Sequence, residues 1–128
     1  MATLTTKLTL NSSATSDTLN VSATSTLTVT DPIQGLSKIA IEGSAGSDTT
    51  LVASSAGNKY VYIKHTGYQS DGSTATSNEV VVDFGTTDSI RLSTGEFTFF
   101  PAKASTAITG IASGLTTIVV EYAYWTKG

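Results

Sequence analysis

Apolar residues recur at every second position along this chain, and nowhere at the three-and-four spacing of a helix. In the stretch Ile118 to Trp125, IVVEYAYW, the residues Ile118, Val120, Tyr122 and Tyr124 share one parity, and Val119, Ala123 and Trp125 share the other. Successive side chains of an extended strand point to opposite faces, so a period of two confines the chain to sheet folds. Composition points the same way. About a third of the residues are Ser or Thr, and charged residues make up 13%, against about 25% in an average domain. Threonine suits a pleated surface, and a shortage of Lys, Glu and Arg removes the usual formers of helix surfaces.

The alternation predicts strands over Thr3–Leu10, Leu19–Thr30, Ile33–Glu42, Thr49–Ala53, Asn58–Thr66, Asn78–Phe84, Ala107–Ala112 and Leu115–Thr126, with two more around Ile90–Leu92 and Phe97–Phe100. Asn11 to Asp17 reads as a polar turn. Asp31-Pro32 is expected to close the second strand, because proline cannot donate to a ladder. Gly67 to Ser77 reads as a polar surface loop. Ser93-Thr94-Gly95 reads as a three-residue hairpin loop that lets Phe97 and Phe99 point inward beside Ile90 and Leu92, leaving Phe100 outward. With 128 residues, the expected fold is all-β: one antiparallel β-sandwich domain over residues 1–128, jelly-roll-like. Residues 1–20 form either an N-terminal arm or an edge strand in this reading.

Several functions are disfavoured. A net charge of −3 and a pI near 4.8 disfavour partners bound through phosphates, so no nucleic acid is expected. No apolar run approaches the length of about 18 residues that a helical membrane span needs, and no membrane partner is expected. The first residues, MATLTTK, lack the apolar core of a signal peptide, so export by that route is not expected. Cysteine is absent and His65 is the sole histidine, which leaves no conventional zinc or iron site and no Ser-His pair beyond His65 itself. His65 is expected to be a packed histidine at a strand end. Asp83, Glu96 and Glu121 fall opposite the inward parity and read as a solvated face rather than a glycosidase pair with Asp88. Asp71-Gly72-Ser73 lacks the other acidic ligands of a calcium loop. No catalytic, cofactor or metal residue is expected, and no enzyme activity.

The last strand is apolar on both faces, as is the strand carrying Tyr60 and Tyr62 opposite Val61 and Ile63. Tyr and Trp are favoured at protein interfaces. Leu4, Leu8, Tyr60, Tyr62, Phe100, Val119 and Trp125 are therefore the candidate interface residues.

The succession YVYIKHTG, EVVVDFG, IRLSTGEFTFFP and TIVVEYAYW resembles small jelly-roll proteins of tailed-phage particles. There an IKNTG-like strand is followed by a valine-rich strand, a glycine-turned hairpin ending in FP, and a closing EY strand. The resemblance spans residues 58–125. It implies a structural virion protein, of the capsid decoration (cement) type, made in the host bacterial cytoplasm and placed on the capsid surface. Its implied partners are the major capsid protein and copies of itself, as a dimer or trimer. The alternative it leaves open is a tail or head-fibre module that binds a host-surface glycan through Tyr60, Tyr62 and Tyr68. Cupin-like enzymes share the glycine-turned hairpin but carry metal-binding histidines on neighbouring strands, which this chain lacks.

Overall fold

The computed structural model describes residues 2–13 and 19–128, and the side chains of all of these but 31–34. The expected turn at Asn11–Asp17 thus lies partly outside the described residues. Nine strands are described: β1 (Ala2–Asn11), β2 (Asn20–Ile41), β3 (Thr49–Val52), β4 (Lys59–Gln69), β5 (Val80–Phe84), β6 (Thr87–Leu92), β7 (Phe97–Ala102), β8 (Ile108–Ala112) and β9 (Ile118–Lys127). They form two antiparallel sheets, a large one in the order β1-β2-β9-β4-β7 and a small one in the order β3-β8-β5-β6.

The pairs β2·β9, β3·β8, β4·β7 and β5·β6 are nested one inside another along the sequence. A long hairpin with its tip at the β5–β6 turn, rolled up so that alternate pairs fall into opposite sheets, gives this order. That is the jelly roll, with β1 added outside β2. The sandwich is therefore wider than residues 58–125, because β2 and β3 belong to it as full members.

The nesting corrects the reading of STGEFTFFP. β6 and β7 lie in different sheets, so Ser93-Thr94-Gly95 is a corner between sheets rather than a hairpin. Glu96 N–H donates to Ser93 C=O at 2.9 Å and Gly95 has φ of 81°. These are the features of a type II turn, which requires a positive φ at its third residue. Ser93 N–H also donates to the Glu96 carboxylate at 2.7 Å. Inward parity does not carry through such a corner. Phe100 faces the core, 5.1 Å from the Phe84 ring centroid, while Phe97 and Phe99 point outward with 63% and 38% exposure. Pro101 sits within β7, an edge strand where a missing N–H leaves no ladder partner unmet.

The second and third expected strands prove to be one. β2 continues through Pro32, with register shifts against β9 between Val29 and Pro32, Pro32 and Gln34, and Gln34 and Ser37. The β1 ladder ends at Val29. Pro32 therefore falls just past the point where β2 loses its β1 neighbour, in an irregular stretch that does not demand every N–H.

Between the sheets lie Ile41, Leu51, Val52, Val61, Ile63, Val80, Val82, Leu92, Ile108, Ala112, Ile118 and Val120. Each fully buried Val or Ile contributes roughly 2 kcal/mol by transfer from water. Gly43 marks a close approach, since a Cβ there would lie 2.3 Å from the Leu115 carbonyl oxygen. We expect Gly43→Ala to lower stability by about 2 kcal/mol, because the obstacle is backbone. A urea unfolding midpoint that does not move would show that the β8–β9 loop yields freely.

Candidate interaction surface

The face of the large sheet turned away from the core is unusually aromatic. β4 contributes Tyr60 and Tyr62, β9 contributes Val119, Ala123 and Trp125, and β7 contributes Phe97, Phe99 and Pro101. The register sets them in rows. Tyr60 stands between Pro101 and Trp125, Tyr62 between Phe99 and Ala123, and Lys64 between Phe97 and Glu121. The rings of Tyr60 and Phe99 stack diagonally, with centroids 5.9 Å apart and planes 14° apart. Lys127 Nζ lies 4.8 Å from the Tyr60 centroid, a cation over a π face. Tyr62 Oη donates to Glu121 Oε1 at 3.1 Å. Desolvation, and then the bond to this carboxylate, push the Tyr62 phenol above its usual pKa.

Residues 20–27 of β2 pair with β1 and not with β9, so these strands form a two-stranded arm. One face of the arm carries threonines. The other carries the cross-strand pairs Leu4–Leu27, Leu8–Ala23 and Leu10–Val21. Leu4 is half-buried near the base, whereas Leu8, Leu10 and Leu19 are 45%, 46% and 50% exposed. Arm residues Thr6–Leu8 and Ala23–Ser25 line a cavity of about 590 Å³ together with Phe97–Phe99 of β7. The two outermost strands of the large sheet thus share one hollow.

Of the seven candidate interface residues, Tyr60, Tyr62, Val119 and Trp125 lie on one face, all half-buried. Leu4 and Leu8 lie on the arm. Phe100 is removed from the set, because it packs against the core with Phe84. Phe97 and Phe99 take its place. Their exposure follows from β7 pairing with β4 rather than with β6. The cue for it was the strand order, since nested pairing matches β7 to β4.

The residues with chemical potential are otherwise engaged. His65 is fully buried. Gly67 N–H donates to its Nδ1 at 2.9 Å, so the ring proton resides on Nε2, which donates to Asn78 C=O at 2.8 Å. Lys59, 3% exposed, turns its Nζ to the carbonyls of Gly57 and Ser55 at 3.0 and 3.4 Å. Asp71 accepts from the N–H groups of Ser73 and Thr74 at 2.9 and 2.8 Å and from the Thr74 hydroxyl. These bonds lower its pKa to about 2 and commit its oxygens to ordering the loop. Glu96 and Glu121 do face away from the core. Asp83 does so too, yet it is buried rather than solvated, at 7% exposure. Among the described residues no group of three or more His, Asp or Glu stands where it could hold a metal ion.

Comparison with models of known protein families finds no match, and comparison with curated proteins finds none either.

Proposed function

We propose that this chain is a structural protein of a tailed-phage particle, a decoration protein that binds across subunits of the major capsid protein and associates with its own copies. The observation that supports this reading most is the outer face of the large sheet, where Tyr60, Phe97, Phe99 and Trp125 lie together, with Phe97 63% and Phe99 38% exposed. Aromatic side chains of this kind supply the central contacts of protein interfaces. The arm adds a second element suited to assembly. β1 is an edge strand of ten residues with a single charge, Lys7, and no proline, so its free edge can accept a further strand. Contacts repeated around a symmetric shell need only moderate strength each.

Purified protein incubated with expanded shells stripped of it tests the proposal, with binding read by sedimentation and by electron microscopy. The wild type is expected to saturate the shells at a fixed number of copies. Phe97→Ser combined with Phe99→Ser is expected to weaken binding at least about tenfold, since aromatic anchors commonly contribute 1–2 kcal/mol or more each. Saturation by the double variant at unchanged affinity would remove the proposed contact face.

A second reading is favoured by the cavity beside β7. Phe97 and Phe99 line it together with the hydroxyl-bearing residues Thr6, Thr24, Ser25 and Thr98, and sugars are held by ring faces flanked by hydrogen-bonding groups. A host-surface glycan retained on an array by the wild type and lost with Phe97→Ser would support a fibre or tail module instead.

A further inference from the structure

The small sheet carries a polar row that crosses all four of its strands. Register places Thr50 opposite Thr109, Thr109 opposite Asp83, and Asp83 opposite Asp88. Asp48, just before β3, reaches into the row, its Oδ2 accepting from the Thr109 hydroxyl at 3.5 Å. Three carboxylates therefore converge on the outer face of this sheet. Like charges directly opposite one another on paired strands are destabilising.

Asp83 is the inner member, 7% exposed, and its Oδ1 is buried with no hydrogen-bond partner. Its nearest polar neighbours explain this. Asp88 stands opposite Asp83 on β6 and Asp48 reaches Thr109, its neighbour on β8, and an ionised carboxylate can only accept. Among the described residues no cation stands in the row. The basic residue of β6, Arg91, is opposite Val81 and is held by Glu79 at 2.8 Å. β8 presents the uncharged Thr109, and the turn before β3 presents Asp48, with Glu42 packed over Gly46 of the same turn.

We propose that Asp83 keeps a proton that it donates to the Asp88 carboxylate, and that this proton is a latch holding the β5–β6 turn and the turn before β3 onto the small sheet. With the proton in place Asp83 becomes a donor, and the orphaned position gains a bond. Once the proton leaves, two ionised carboxylates face each other across β5 and β6 with Asp48 beside them. The turns then loosen at the strand edges.

Burial, and then the bonds and charges of Asp88 and Asp48, raise the Asp83 pKa from 3.8 to about 6. The folded chain therefore holds a proton that the unfolded chain has already lost. Stability is full below the unfolded pKa, falls as pH rises toward about 6, and levels off above it.

Thermal unfolding from pH 4 to pH 8 in the presence of a chelator tests the latch, together with backbone hydrogen exchange of residues 84–90. For the wild type the midpoint should fall by roughly 8 °C over that range, and protection of the β5–β6 turn should drop about tenfold. Asp83→Asn should abolish the part of the fall between pH 4 and pH 6, and should be more stable than the wild type at pH 7.5. A carboxyl carbon titration of the wild type by NMR needs no variant and should place Asp83 near pH 6. Titration below about pH 4.5, or an Asp83→Asn profile parallel to the wild type, would overturn the proposal. So would a neutral-pH midpoint raised by millimolar calcium in the wild type alone, since a cation would then be the natural occupant.

Discussion

His65→Ala is expected to cost about 4 kcal/mol of folding stability, more than any substitution on the aromatic face. Two losses combine. A fully buried ring is replaced by a methyl group, which leaves a cavity. Gly67 N–H and Asn78 C=O, which the ring joins at 2.9 and 2.8 Å, lose their shared partner, at roughly 1–3 kcal/mol for each group left buried and unpaired. The backbone of His65 also receives the corner of β6 and β7, through His65 N–H to Glu96 C=O at 2.9 Å and Gly95 N–H to His65 C=O at 3.1 Å. A disturbance at this residue therefore spreads to the loop of residues 67–78 and to the sheet-to-sheet corner together. Urea unfolding measures the loss. A decrease below about 1 kcal/mol would mean that water replaces the ring without penalty, and that His65 is not the junction described.

Phe100→Ala and Phe97→Ala, three positions apart in one strand, are expected to behave as opposites. Phe100 is half-buried against Phe84 and the core, and its truncation should cost about 2 kcal/mol, less than that of a fully buried phenylalanine. Phe97 is 63% exposed, and its truncation should change stability by no more than about 0.5 kcal/mol. Binding to the proposed partner should reverse the order, with Phe97→Ala harmful and Phe100→Ala, where folded, close to neutral. The reverse order, with Phe97→Ala the more destabilising of the two, would show that β7 has the parity expected of a hairpin with β6.

This pair also illustrates what a single sequence can and cannot reveal. Within a strand the alternation was a reliable guide. Val61, Ile63 and His65 face inward with Val80 and Val82, Ile118 and Val120 complete that layer, and Tyr60, Tyr62 and Trp125 turn away. Between strands the guide fails, because a corner between sheets and a hairpin can use the same letters. Gly95 takes a positive φ in either case, so Ser-Thr-Gly did not report which strand β7 would meet. Pro32 misled for a related reason. Its missing N–H matters only where the ladder is regular, and regularity of the β2·β9 pairing is a property of both strands. Asp83 was placed on the correct face but in the wrong medium. Its burial comes from Asp88, Thr109 and Asp48 crowding around it, and these neighbours lie on three separate segments that no local spacing connects. Candidate interface residues were legible to the same degree. Those on β4 and β9 followed from parity within a strand, and the two on β7 required the strand order.

The nested order of strands has a consequence for how the chain reaches its fold. The β5·β6 hairpin joins neighbours in sequence and can close early, while β4·β7, β3·β8 and β2·β9 each enclose a longer loop. Contacts of this kind have a high contact order and form slowly. During synthesis β2 emerges from the ribosome well before its partner β9, because β3 to β8 lie between them in the sequence. Throughout that interval β2 and the arm expose apolar side chains and unmet backbone groups. Chaperone binding during translation is therefore expected to centre on residues 20–41, and to end when β9 arrives.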